Sequence, residues 1–160
     1  MPARTDSKCY RNPGLQAGGT VYRAIVNPEA FGVRKALQDM TGFAAGLGVE
    51  KGDLATLELV LAEVLNNIVE HACHDAQNAM IRLSCRFEDN RVVMTVTDNG
   101  APLQGGSAPD SVLPRGHGNL ESLPEGGFGW FIISRLTQDL TYRRRNERNF
   151  LTFTIRFLGR

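Results

Sequence analysis

Apolar residues recur every three or four positions between residues 57 and 72, and this spacing predicts the most regular helix of the chain. Asp53 is expected to cap this helix, which is expected to end near His74 and Asp75. Polar side chains lie beside the apolar stripe at a spacing of four, so they follow one another along a second face. The stripe comprises Leu57, Val60, Leu61, Val64, Leu65, Ile68 and Ala72, and the polar set comprises Glu63, Asn67 and His71.

The remaining pattern alternates between strands and helices. Segments rich in β-branched or alternating residues predict strands at 20–26, 79–87, 91–98, 140–145 and 150–157. Helices are predicted from Asn27-Pro28-Glu29 to about residue 45 and over residues 128–136. Because two pairs of strands are joined as hairpins, the expected fold is an α+β two-layer sandwich, a mixed and mostly antiparallel sheet with helices on one face.

The same pattern sets the expected domain organisation. Residues 1–19 are polar and glycine-rich and are interpreted as a tail or a loosely attached first strand. Residues 20–160 are expected to form a single domain. The segment at about 101–125 is rich in glycine, proline and serine, and a connection of this length is typical of a lid or binding loop.

Composition narrows the classes of function. The formal net charge of the 160-residue chain is only +1, so no bulk electrostatic signal points to nucleic acid or an anionic membrane. The three cysteines, Cys9, Cys73 and Cys85, have no spacing typical of a disulfide framework or a zinc site. No secretory signal or membrane-spanning apolar run is evident, which favours a cytoplasmic protein.

Two further segments add chemistry to the Glu63–Asn67 pair. Asp98 ends a predicted strand and is followed by Gly100, so a carboxylate lies where the backbone can approach a flat ring closely. Gly126-Gly127-Phe-Gly129 leads into a predicted helix, whose N-terminus would attract phosphate. The run is neither a Walker motif nor a dinucleotide fingerprint.

Taken in order, these segments resemble the GHKL superfamily of ATP-binding domains, and most closely its anti-sigma-factor serine/threonine kinase family. The run from Glu63 through Asn67 to His71 resembles the N-box of that superfamily. The Asp98–Gly100 segment resembles its first glycine box, and Gly126–Gly129 resembles its second. The resemblance extends from about residue 20 to the end of the chain.

The resemblance implies a role for each matching residue. Asn67 would coordinate Mg²⁺, and Glu63 would act as the general base. Asp98 would bind the adenine amine above Gly100, while Gly127 and Gly129 would offer backbone N–H groups to the phosphates of ATP. His71 would lie at the edge of the nucleotide site, and Thr152 or Thr154 would support the adenine contact through water. Arg115 is a candidate phosphate clamp only because a cation in the lid would be useful there.

The implied activity is that of an ATP-dependent protein kinase. It would phosphorylate a serine or threonine of an anti-sigma antagonist protein and sequester a sigma factor or similar regulator. Related kinases are commonly dimers, so the resemblance also implies a homodimer. Two other functions remain open, namely an ATP-dependent binding switch with little kinase activity and a simple ATPase.

Some segments have a plainer interpretation as well. His71 with His74 could form a metal pair, although no third ligand is evident. The arginines at 143–145 with Arg148 are read first as a solvated charge run, and docking to an acidic partner is the functional alternative.

Overall fold

The computed structural model describes residues 8–10, 19–73, 78–103, 105–106 and 127–159. Within them the elements are β1 (Lys8–Tyr10), β2 (Thr20–Val26), α1 (Ala30–Gly46), α2 (Lys51–Asn67), a π-helical turn (Ile68–Ala72), β3 (Ile81–Glu88), β4 (Arg91–Asp98), α3 (Gly127–Leu136), β5 (Gln138–Arg145) and β6 (Arg148–Arg156). β1 lies in the segment interpreted as a tail or first strand. Most of the predicted lid lies outside the described residues.

The described strands form one six-stranded sheet in the order β1-β2-β3-β4-β6-β5, and each neighbouring pair is antiparallel. β4 lies between β3 and β6. Its last residue, Asp98, pairs with Ile81 on one side and with Asn149 on the other. The register therefore places Asp98 in the interior of the sheet, at one end of its strands.

One face of the sheet is buried against the helices. Alternate side chains of the strands are buried, as the two-residue period of a half-buried strand requires. The apolar stripe of α2 packs on this face, and Leu57, Val60, Leu61 and Leu65 are fully buried. The predicted α+β sandwich with helices on one face is confirmed.

The two long helices begin differently from the prediction. Glu29 occupies the N-cap position of α1, so Pro28 precedes the cap and does not fill the first helical position. α2 begins at Lys51, with Glu50 at its N-cap position, so the prediction that Asp53 caps the helix is wrong. Asp53 is buried in the first turn, where its two carboxylate oxygens accept hydrogen bonds from Leu158 N at 2.9 Å and Gly159 N at 3.1 Å.

α2 continues into a wider turn at the level of the polar stripe. The N–H of Cys73 donates to Ile68 O at 2.9 Å, which is a bond between residues five apart. Such π turns are rare and often accompany functional sites. The predicted end of the helix, near His74, lies outside the described residues.

The closing hairpin is tighter than predicted. Asn146 and Glu147 form its turn with φ of 48° and 58°, the left-handed conformation of two-residue hairpin turns. Asn149, predicted to lie in the loop, is therefore the second residue of β6 and is buried. Near its start, β5 bulges at Asp139, whose φ is also positive.

None of the described helices combines the length and apolar character needed to cross a membrane.

Candidate active site

The first turn of α3 packs directly on the polar stripe of α2. A Cβ added to Gly129 would lie 2.7 Å from Glu63 Oε2 and 3.4 Å from Asn67 Oδ1. Gly129 is buried in an ordinary helical conformation, so the absence of a side chain is needed for space and not for backbone freedom. The structure thus brings Gly129 of α3 against Glu63 and Asn67, which neighbour each other on α2 but lie far earlier in the sequence.

The amide nitrogen of Asn67 is buried without a partner. This Nδ2 atom donates no hydrogen bond to any described residue, and an unsatisfied buried donor normally costs about 1–3 kcal/mol. The amide oxygen of Asn67 lies on the Gly129 side of the same group, 3.4 Å from a Cβ built on that glycine. A single amide oxygen suits Mg²⁺, which keeps several waters and takes its other ligands from phosphates.

Asp98 is the most deeply buried carboxylate of the sheet, at 4% exposure. Its Oδ1 accepts hydrogen bonds from Gly100 N at 2.9 Å and from Asn149 Nδ2 at 2.7 Å. Among the described residues, none donates to Oδ2. Burial raises the pKa of Asp98, and the two hydrogen bonds and the positive charge of Arg144 offset only part of that effect. The carboxylate therefore has one oxygen fixed by the protein and one available to a donor.

Gly100 joins the end of β4 to the π turn. A Cβ at this position would lie 2.2 Å from the carbonyl oxygen of Ala72, which also accepts a hydrogen bond from Ala101 N at 2.8 Å. The close approach that requires glycine is therefore an approach to the backbone of Ala72. Whether a ring also lies over Gly100 is not tested and stays a prediction.

Asn149 is the site residue that sequence reasoning missed. Its Nδ2 donates to Asp98 Oδ1 and to Ala101 O at 2.8 Å, and its Oδ1 accepts from Tyr142 Oη at 2.7 Å and Arg144 Nη1 at 2.6 Å. All four hydrogen-bonding positions of the amide are used. The error came from the predicted length of the turn. A two-residue turn places Asn149 in β6 opposite Asp98, whereas the predicted four-residue loop left it outside the strand.

The same network reaches the start of the predicted lid. Tyr142 Oη accepts a hydrogen bond from Leu103 N at 2.9 Å, and Arg144 Nη1 donates to Gly100 O at 3.0 Å. Residues 100–103 are therefore fastened to the β5–β6 hairpin by side chains. Arg144, which the sequence grouped with a solvated charge run, is a structural part of the site.

Thr152 is not brought to the site. It pairs with Thr95, and the two hydroxyls are 3.1 Å apart on the face of the sheet opposite to Asp98. Thr154 is two residues further along and lies on that same opposite face. Side chains alternate between the two faces along a strand. Asn149 therefore lies on the same face as its partner Asp98, whereas Thr152, three residues later, lies on the opposite face.

The remaining predicted positions differ in how fully they are described. His71 is exposed in the π turn, and Gly127 begins α3. Arg115 and His74 lie outside the described residues. Cys73 is buried at the end of the π turn, and burial, assisted by the negative charge of Asp98, raises its pKa to about 11, so the thiol stays protonated near neutral pH.

Comparison with known proteins identifies the family of the chain. Residues 26–155 match the family model described as the histidine kinase-like ATPase domain. The chain is 35% identical over 99 residues to the serine/threonine-protein kinase BtrW of Bordetella bronchiseptica, covering 62% of this chain and 68% of that protein. It is 32% identical over 98 residues to the serine-protein kinase RsbW of Halalkalibacterium halodurans, covering 61% of this chain and 59% of that protein.

Among solved structures, the chain is similar to the histidine kinase domain from the Erythrobacter litoralis EL346 blue-light activated histidine kinase. The TM-score is 0.43 at 21% identity, and the match covers 66% of this chain and 45% of that chain. The family match spans both glycine segments, the polar stripe of α2 and nearly all of β6. The chain therefore belongs to the histidine kinase-like ATPase domain family, as its resemblance to the GHKL superfamily predicted.

Proposed function

We propose that this protein binds Mg-ATP and transfers the γ-phosphoryl group to a serine or threonine hydroxyl of a partner protein. The observation that carries the proposal is the packing of Gly129 on Glu63 and Asn67. It puts a carboxylate, an unpartnered amide and a helix N-terminus within contact distance of one another.

Asp98 supports recognition of adenine. Its Oδ2 atom is available to a hydrogen-bond donor, and the exocyclic amine of adenine is such a donor. Guanine presents a carbonyl oxygen at the equivalent ring position and would face the carboxylate with a second acceptor. The site should therefore prefer ATP over GTP.

The opposite end of the site supports binding of phosphate. α3 is ten residues long, and its first backbone N–H groups, including those of Gly127 and Gly129, have no helical partners. These groups and the helix dipole favour a negative charge. The amide of Asn67 would hold Mg²⁺, which when bound neutralises charge on the phosphates.

We assign Glu63 the role of general base. It would accept the proton of the attacking hydroxyl while the oxygen of that hydroxyl forms a bond to the γ-phosphorus. The bond from the γ-phosphorus to the oxygen bridging to the β-phosphate would break, and ADP would leave with that oxygen. The role depends on Glu63 staying against Gly129, at the edge of the phosphate end.

The relatives support a protein kinase, and the identity of the partners rests on the family resemblance. BtrW is named a serine/threonine-protein kinase and RsbW a serine-protein kinase. By resemblance to the anti-sigma kinase family, the acceptor would be an anti-sigma antagonist, and the sequestered protein would be a sigma factor or similar regulator. A cytoplasmic location and a homodimer remain predictions.

Nucleotide binding is tested by thermal unfolding. A ligand that binds only the folded state stabilises it by about 2.7 kcal/mol when its concentration is about 100 times Kd. Mg-ATP should raise the Tm of the wild type. Asn67→Ala should lose the magnesium-dependent part of the shift, whereas Asn66→Ala, which changes an exposed neighbour, should keep it. No shift of the wild type at millimolar Mg-ATP would refute the site.

Phosphoryl transfer is tested with labelled Mg-ATP and candidate acceptor proteins. Glu63→Gln should reduce transfer by at least about 100-fold, in the range that a positioned general base contributes, while Glu58→Gln on the exposed side of α2 should not. ATP binding without transfer to any acceptor would favour the binding switch. Steady release of phosphate without an acceptor would favour the ATPase.

A further inference from the structure

The face of the sheet turned away from the nucleotide site is strongly cationic. Along each strand, the residues on this face alternate with the residues that are buried against the helices. Five exposed arginines lie there without a hydrogen bond or an ion pair to any described residue. We call them the arginine face: Arg23, Arg82, Arg143, Arg145 and Arg148.

The register brings these arginines together at one end of the sheet. Arg82 of β3 lies in a cross-strand row with Thr97, Phe150 and Arg143. Arg23 is diagonal to Arg82 on the neighbouring strand, a separation of about 7–8 Å between Cα atoms. Arg145 pairs directly with Arg148 at the hairpin tip.

Little on this face neutralises the charge. Glu88 is the acidic strand residue on the described part of the face, and it is already shared between Arg86 and Arg91. Glu147 lies in the hairpin turn and can offset one charge at the tip. Two like-charged side chains directly opposite each other on neighbouring strands destabilise a sheet, so the fold itself gives no reason for this concentration of arginines.

We propose that the arginine face is a docking surface for an acidic segment of a partner protein. Guanidinium groups bind carboxylates in a bidentate manner, and the threonine hydroxyls between them add uncharged donors. The surface is independent of the proposed kinase reaction, because Glu63, Asn67 and Asp98 lie on the other side of the sheet.

Other occupants fit the face less well. Single-stranded nucleic acid needs aromatic platforms on which bases stack, and among the described residues of this face Phe150 is the aromatic one and is half-buried. A membrane surface needs apolar groups that insert, and the exposed large apolar residue here is Ile25. A second copy of the same face would meet it with the same positive charge.

The test uses fluorescent poly-L-glutamate, a single-stranded oligothymidylate and anionic phosphatidylglycerol vesicles as probes. Poly-L-glutamate should bind in a salt-sensitive manner. Reversal of two charges, in Arg23→Glu/Arg82→Glu or in Arg143→Glu/Arg145→Glu, should weaken that binding by at least about tenfold. Arg34→Glu/Lys51→Glu, which makes the same change in net charge on exposed residues of the helical layer, should weaken it by less than about twofold.

If a charge-reversal variant loses its cooperative unfolding transition, Arg23→Gln/Arg82→Gln replaces it, and a weakening of about threefold or more is expected. Equal loss in the face variants and in the helical-layer control would overturn the proposal. Binding of oligothymidylate or vesicles as tight as that of poly-L-glutamate would overturn the assignment to a protein partner. All variants should retain the Mg-ATP shift in Tm, which separates failure of this surface from failure of the nucleotide site.

Discussion

The carboxylate of Asp98 is fixed by hydrogen bonds to one oxygen, while its other oxygen stays available to bind a ligand. Both described hydrogen bonds to the carboxylate go to Oδ1, so its orientation is fixed while Oδ2 stays available. Asp98→Asn preserves an acceptor for Asn149 and Gly100 but replaces Oδ2 with a donor. We expect the folded state to be retained and the affinity for ATP to fall by at least about tenfold, since two donors would face each other. Isothermal titration calorimetry measures the affinity, and urea unfolding measures the stability.

The same substitution predicts a difference in pH dependence. Because burial raises the pKa of Asp98 in the folded state, protonation stabilises folding. That contribution is fully present below the unfolded pKa of about 3.9 and is lost as pH rises through the folded pKa. The stability of the wild type relative to Asp98→Asn should therefore increase as pH falls from about 7 to about 4.5. A difference that is constant, or that changes in the opposite direction, would show that the carboxylate is not desolvated.

Gly129 is expected to matter more for activity than for the stability of the fold. Alanine is the better helix former by about 1 kcal/mol, but its Cβ would push against Glu63 Oε2. We expect Gly129→Ala to change the free energy of unfolding by less than about 1 kcal/mol and to lower phosphoryl transfer by about tenfold or more, through displacement of the base. Gly42→Ala in α1 meets no atom within 4 Å and should stabilise the protein without loss of activity.

The β5–β6 hairpin acts on the site as a unit. Tyr142 links Asn149 to Leu103, so its hydroxyl fastens the start of the predicted lid to the sheet. Tyr142→Phe should cost about 1–2 kcal/mol of stability and speed proteolytic cleavage just after Leu103. Tyr22→Phe is the matched control, because the hydroxyl of Tyr22 is buried with no partner among the described residues. That change should be neutral or stabilising. Equal effects of the two substitutions would contradict the link.

The accuracy of prediction from sequence depends on how clearly the sequence marks the ends of each helix and strand. The bounds of β2 and β4 agree with the prediction because both strands are rich in β-branched residues and are flanked by turn-forming residues. The polar pair on α2 was also identified, because its side chains lie outside an apolar stripe. Cross-strand register, in contrast, depends on turn length, and an Asn-Glu turn with two positive φ values has no strong sequence signal. The missed role of Asn149 has this cause, whereas the predicted role of Thr152 came from the family resemblance and did not depend on the register.

Contacts between residues distant in the sequence are a second limit of prediction, as the start of α2 shows. A buried aspartate in the first helical turn has the same local sequence whether it caps its own helix or binds a distant backbone. The partners of Asp53 are residues 105 and 106 positions later, and no local pattern can reveal them.

The charged side chains are unevenly distributed over the molecule, although its net charge is small. A net charge of +1 suggested no electrostatic partner, yet the arginine face concentrates cations on one side of the sheet. Acidic residues of α2 and of the π turn, including Glu58, Glu63 and Glu70, lie on the helical side. The molecule is therefore polarised across its sheet, and ordered docking can occur without a large net charge.

The contact between Asp53 and the last described residues predicts a long-range effect on stability. Deletion of residues 158–160 leaves a carboxylate that is 6% exposed without its two described donors. The expected loss is about 1–3 kcal/mol, measured by urea unfolding. Asp53→Ala should destabilise the full chain by more than it destabilises the shortened one, because in the latter its interaction is already absent. Equal effects in both backgrounds would show that the contact contributes nothing.

The same contact constrains how the protein can fold as it is synthesised. The carboxylate of Asp53 lacks these two donors until Leu158 and Gly159 have left the ribosome, and the carboxylate of Asp98 likewise lacks its bond from Asn149 until that residue has emerged. Contacts of such long sequence separation form late, because the chain must close a large loop before they stabilise it. A nascent chain would therefore expose two aspartates that the finished protein buries. Synthesis of the last strand and the residues after it would be the step that commits the domain to its folded, nucleotide-competent form.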